Sequence, residues 1–83
     1  MREWLEEVAG ALGTPSDLVQ RHADALLDMV RVVAHGPSRP GAPLSAFLLG
    51  QLVARSDDAD ADLEKGLRVI DSLLASRGDD ARD

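Results

Sequence analysis

Three of the four prolines, Pro37, Pro40 and Pro43, fall within seven residues, and a run of large apolar residues, Leu44 to Val53, follows at once. Each proline fixes its own φ and pushes the residue before it toward extended backbone. A helix arriving at Gly36-Pro37 must therefore stop, and the next can accept a proline only in its first turn. Behind Pro43, the residues Leu44, Phe47, Leu48, Leu49, Leu52 and Val53 cover most of a helix circumference. A helix apolar nearly all round is a buried one. The segment from Pro43 to about Arg55 is therefore expected at the centre of the fold, with Phe47, Leu48 and Leu52 in the core. If Phe47 is fully buried, Phe47→Ala is expected to cost about 3–5 kcal/mol.

Three further segments carry helical periodicity. Over Arg2 to Leu12, Leu5, Val8 and Leu12 share a face that Trp4 flanks, while Glu3, Glu6 and Glu7 face water and suit the helix start. Gly13 is the natural stop. A second helix is expected from Thr14 as N-cap, with Pro15 at the first helical position and Asp17 three residues after the cap. It runs to about His35 and presents Leu18, Leu26, Met29, Val30 and Val33, helped by Ala25. A last helix runs from about Ala59 to Arg77, with Leu63, Leu67, Ile70 and Leu74 on one face and Leu73 beside them. Ser56 or Asp57 is the expected cap, and Asp58, Asp60, Asp62 and Glu64 load its start with negative charge. No useful length alternates with period two, so no strand is expected. The fold class predicted is all-α, a compact four-helix bundle with helix three (about 43–55) central. Residues 1–77 form one helical domain and 78–83 a frayed polar tail.

Composition narrows the chemistry. A chain of 83 residues buries only about 60–65% of its unfolded surface, so stability is modest. One Trp, one Phe and no Tyr make the core aliphatic, and the absence of Cys excludes disulfides and thiolate chemistry. No apolar run reaches the ~18 residues of a membrane span. The acidic start, Glu3, Glu6 and Glu7, does not fit a secretory leader, and a cytoplasmic protein is expected. The net charge of −6 is uneven: residues 1–56 hold six acids and five bases, residues 57–83 nine acids and four bases. Such a chain repels phosphate backbones, so no nucleic-acid partner is expected. A helix-turn-helix is also unsuited, because Gly36 to Ala42 exceeds the usual three- or four-residue turn.

Few residues suggest a site. His35 and Arg39 flank the proline loop. With Pro43 opening the third helix, the cap position falls on Ala42, which has no side-chain acceptor. The backbone N–H groups of Leu44, Ser45 and Ala46 would then attract phosphate or carboxylate, with Arg39 supplying charge and His35 a hydrogen bond. The plainer alternative has Ser45 or water satisfy those groups while Arg39 and His35 pair with the last carbonyls of the preceding helix. His22 lies near Asp24 and Asp28, but three or four converging ligands are needed for a metal, and a solvated helix face explains it better. Asp57, Asp58, Asp60 and Asp62 lack the mid-loop Gly of a calcium loop; a helix start accounts for them. The leucine stripe of the last helix spans about two heptads, short of a coiled coil, which favours core packing over self-association. Gly10, Gly50 and Gly66 inside helices suggest close helix approach. No metal or cofactor is expected. With two histidines and no Cys, a non-enzyme is favoured.

From Arg39 to Gly50, Arg-Pro-Gly-Ala-Pro-Leu-Ser-Ala-Phe-Leu-Leu-Gly, the chain resembles a small uncharacterised actinobacterial helical domain family. That family has a similar histidine, then Arg-Pro-x-Ala-Pro, then a Ser/Thr-rich start to a Phe-Leu-Leu-Gly helix. Glu3-Trp4-Leu5 also resembles its opening, and the likeness extends roughly to Leu74. Gly36, Pro37 and Gly41 depart from its commoner residues. The family is found alone or attached to nucleotidyltransferases similar to molybdenum-cofactor guanylyltransferase. The resemblance implies a link to molybdopterin-guanine dinucleotide biosynthesis and a nucleotidyltransferase as protein partner; it implies no activity. Two functions follow as expectations. The first is a non-catalytic accessory or protein-interaction module, a homo-oligomer being compatible with it. The alternative is a small-anion or nucleotide-binding domain using the Arg39 loop and the N-terminus of helix three. Exposed apolar surface favours the first; an anion held at Pro43 to Ala46 favours the second.

Overall fold

Glycines and prolines cut the chain where its periodicity says they should, with one extra break. The computed structural model describes residues 1–77 as five helices: α1 (Arg2–Leu12), α2 (Asp17–Arg21), α3 (Ala23–His35), α4 (Gly41–Ala54) and α5 (Ala59–Arg77). The described residues are all-helical, with no strand. The tail expected over 78–83 lies outside the described residues.

Gly13 ends α1 in the left-handed region, φ 74°. The Thr14 N–H reaches the Ala9 carbonyl at 2.9 Å and the Gly13 N–H reaches Gly10 at 3.2 Å. These two bonds satisfy carbonyls that a helix end leaves open. Thr14 is thus engaged in closing α1 and does not cap α2, which starts at Asp17 behind Ser16. The single helix expected from Thr14 to His35 is two. His22 separates them with φ −110° and ψ 16°. Its N–H bonds back to the Leu18 carbonyl at 3.2 Å, and its own carbonyl accepts from Leu26 at 2.9 Å. The described residues therefore form five helices and not the expected four.

α4 begins at Gly41, two residues before Pro43. Pro43 still lies in the first turn, where a missing N–H costs nothing. α4 packs on both α3 and α5, and α3 also packs on α5 and α2. The buried cluster joins Met29 and Val33 of α3, Ala42 and Leu49 of α4, and Leu63 and Leu74 of α5. Ala46 and Val53 pack against it. The inward stripe of α4 is thus Ala42, Ala46, Leu49 and Val53, spaced four, three and four. Gly66 marks the closest approach of α5: a Cβ there would stand 2.6 Å from Leu49 Cδ2 and 3.1 Å from Leu52 Cδ2. Gly10 and Gly50 have open space where a Cβ would go, so close approach explains Gly66 alone.

The outward side of α4 overturns an expectation. Phe47, Leu48 and Leu52 are not in the core; they are 58%, 64% and 37% exposed. The helix is apolar on two faces, and only one has a neighbour. α1 does not cover the other: of its residues only Ala9 is buried, and Trp4 and Leu12 are exposed. Phe47→Ala should consequently cost less than about 1 kcal/mol in dilute solution, the range of surface substitutions. Chemical denaturation checks this. A loss of about 3 kcal/mol would mean that Phe47 is covered in the monomer.

Candidate functional site

The proline loop is capped from within. The Ser38 hydroxyl accepts the Gly41 N–H at 3.0 Å, and the Arg39 carbonyl accepts the Ala42 N–H at 3.2 Å. Pro43 has no N–H. With Pro40 as N-cap, the donors of Leu44, Ser45 and Ala46 fall in the i→i−4 ladder, which begins at the N-cap carbonyl. The early start of α4 therefore occupies the donors on which the anion reading depends. The five residues of that reading are also dispersed. His35 and Arg39 are exposed, and among the described residues neither side chain has a hydrogen-bond or ion-pair partner. Leu44 lies on the outward face of α4, 64% exposed. Ser45 lines a groove on that side, and Ala46 packs on the core.

That groove is a sizeable concave feature of the described residues. It holds about 730 Å³ between α4 and α5, with Leu48 and Leu52 on one wall and Val69 and Leu73 on the other. Buried Leu49 and Leu74 form its floor, and Asp62 and Lys65 stand on its border. Val69 and Leu73 are 51% and 60% exposed. They sit four residues apart on α5, beside the inward stripe Leu63, Leu67, Ile70 and Leu74. Sequence reasoning assigned none of these side chains to a site. The signal was present in α4, which carries more large apolar residues than one buried face can use.

A family model of a domain of unknown function, DUF6457, matches residues 1–82. The chain belongs to the DUF6457 family. No significant match is found among curated proteins or among solved structures. An uncharacterised family is what residues 35–50 led us to expect, and membership brings no activity with it.

Among the described residues of this DUF6457 chain, a polar cluster joins elements distant in sequence. Asp60, in the first turn of α5, accepts from Nε2 of His22 at 2.6 Å and from Nε and Nη2 of Arg21 at 3.2 and 3.0 Å. The His22 side chain is largely shielded, 13% exposed. His22 is thus not on a solvated face; it is tied to α5 at the point where α2 and α3 part. Asp24 and Asp28 take no part, and Asp28 pairs with Arg31 instead. Asp58, and neither Ser56 nor Asp57, caps α5: its carboxylate accepts the Ala61 N–H at 3.2 Å, while Ser56 accepts the Asp58 N–H at 2.9 Å. Asp58 and Asp60 thus have structural partners. Among the described residues, no three His, Asp or Glu side chains converge as metal ligands.

Two predictions follow from these bonds. Ser38→Ala removes the acceptor for Gly41 and should lower stability by about 0.5–1.5 kcal/mol, the net contribution of a typical hydrogen bond. The His22 hydrogen bond, and after it those of Arg21, hold the Asp60 carboxyl below its ordinary value. A carboxylate depressed by folding stabilises the native state above the unfolded pKa, about 4, and loses that contribution as pH falls through the folded value. Asp60→Asn should therefore be less stable than wild type near neutrality, and the two should converge as acidification proceeds below about pH 4. Parallel stability curves through that window would show that Asp60 ionisation is not linked to folding.

Proposed function

We propose that this domain is a non-catalytic protein-interaction module, with the open apolar face of α4 and α5 as its contact surface. The observation that carries the reading is the exposure of Leu48 and Leu52 on α4 with Val69 and Leu73 on α5 across one groove, Leu44 and Phe47 being exposed elsewhere on α4. Each of these side chains is more than a third exposed. Large exposed patches of this kind mark sites of protein association. The net charge of −6 argues against a polyanionic partner. The resemblance over residues 35–50 supports an accessory role beside a nucleotidyltransferase of molybdopterin-guanine dinucleotide biosynthesis. A cytoplasmic place belongs to the same proposal and is supported by the cysteine-free sequence. Among the described residues, no helix is long and apolar enough to cross a membrane.

Titration of such a nucleotidyltransferase with the domain tests the reading. Saturable binding is expected, weakened at least about tenfold by Leu48→Glu, a loss of roughly 1.4 kcal/mol. Helicity should be unchanged, because Leu48 is exposed. Binding that Arg39→Ala abolishes and Leu48→Glu leaves intact would move the surface to the proline loop. Absence of binding at about 100 µM, where a useful accessory contact is half-formed or better, would remove the enzyme as partner.

A further inference from the structure

We infer that residues 1–22 form an arm that opens as one unit from a core of α3, α4 and α5, with the Asp60 carboxylate as the latch that keeps it closed. Packing is the first observation. α3, α4 and α5 each pack on the other two, whereas α2 packs chiefly on α3 and α1 makes no comparable contact with any helix. Every member of the buried cluster, Met29, Val33, Ala42, Leu49, Leu63 and Leu74, belongs to α3, α4 or α5. Of the first 22 residues, only Leu18 packs against that cluster, and Ala9 is buried outside it.

The hydrogen bonds supply the second observation. Among the described residues, the side-chain bonds that tie the arm to α4 or α5 all end on Asp60: two from Arg21 and one from His22. The other bonds of the arm stay within it, as from Gln20 Nε2 to Ser16 Oγ at 2.8 Å, or lead into α3 through the His22 carbonyl. His22 is also the break between α2 and α3, with φ −110° and ψ 16°. Residues at the ends of elements are where a chain absorbs a change of direction. Hinge and latch therefore share one residue, and the bond to Asp60 fixes the hinge. α1 has eleven residues and α2 five. Helices this short are marginal in water, so the arm loses them once it leaves the core. Opening exposes its amides and releases Leu5, Val8 and Leu18, which are half-buried when it is closed. A unit with few buried contacts opens at a lower free energy than the whole protein.

Native-state hydrogen exchange on the full chain tests the arm and the latch with separate variants. In the wild type, the amides of α1 and α2 should share one opening and be protected at least about tenfold less than those in the middle of α3, α4 and α5. Ile70→Val thins the core about 15 Å along α5 from Asp60. It should speed exchange of the core amides and leave the arm unchanged, because the open arm still has the core folded behind it. Asp60→Ala should lower protection of the arm about two- to tenfold, the range of a lost hydrogen bond. Asp62→Ala, in the same first turn and without a bond to the arm, should not. In a His22→Ala background the effect of Asp60→Ala should shrink, since the two residues share one bond. Equal speeding of arm and core in Ile70→Val would make all five helices one cooperative unit and overturn the inference. An α1 that exchanges apart from an α2 as protected as the core would overturn it as well. If Asp60→Ala changes the arm no more than Asp62→Ala does, Asp60 is not the latch.

Discussion

The contact on which the rest of the structure depends is the approach of α5 to α4 at Gly66. Without a side chain at that position, Leu49 and Leu52 come within 2.6 and 3.1 Å of where a Cβ would stand. The glycine makes room for large residues of α4, Leu49 above all, while Ala42, only 1% exposed, and Ala46 complete the inward stripe. That stripe uses only part of a helix that is apolar nearly all round, and the remaining leucines are left exposed. The groove floor, Leu49 and Leu74, belongs to the core cluster itself, so surface and core cannot be redesigned independently.

A second constraint orients the pieces that this contact does not reach. α2 is five residues long, too short to persist by its own backbone bonds. Its end is fixed by Arg21 and His22 on Asp60, across 39 and 38 residues of chain. Exposed ion pairs contribute little to stability, yet His22 is largely shielded, and its geometry is set by a short bond. The cluster holds the α2–α3 junction against the start of α5 while Asp58 caps that start. It also accounts for the break at His22, since a ring committed to α5 sits where the two helical segments meet.

Much of this fold was legible in the sequence, and the failures have physical causes. The stop at Gly13, the stop at Gly36-Pro37 and the span Ala59–Arg77 follow from punctuation and from a stripe of a single phase. α4 lacks that phase. A helix apolar on every side says that it has neighbours and not where they are, so Phe47, Leu48 and Leu52 were assigned to the core. Its start was misplaced because proline is tolerated throughout the first turn and not at one position of it. Ser38, three residues before Gly41, accepts the first N–H of α4, and the earlier start of the helix places the donors of the anion reading inside the backbone ladder. The bond from His22 to Asp60 links segments that no local rule relates. The groove was legible only as an excess of leucine.

Exposure of this kind acts on stability as well as on recognition. No large side chain in the core is wholly shut from water; even Leu63, among the best covered, keeps 3% of its surface. The monomer thus has a small reserve of buried apolar area against the conformational entropy of 83 residues. On the proposed interaction role, a partner that covers α4 and α5 binds the folded chain and not the unfolded one, so it raises the apparent stability by mass action. Occupancy and folding are then a single linked equilibrium. Selection on a residue such as Leu48, which does little for the isolated monomer, can act through that linkage: a charge there leaves the fold intact and removes the protection that a partner gives it. The same linkage explains how a domain can retain leucines in water. Their cost in solubility falls on the free chain, and their contribution appears only when the face is covered.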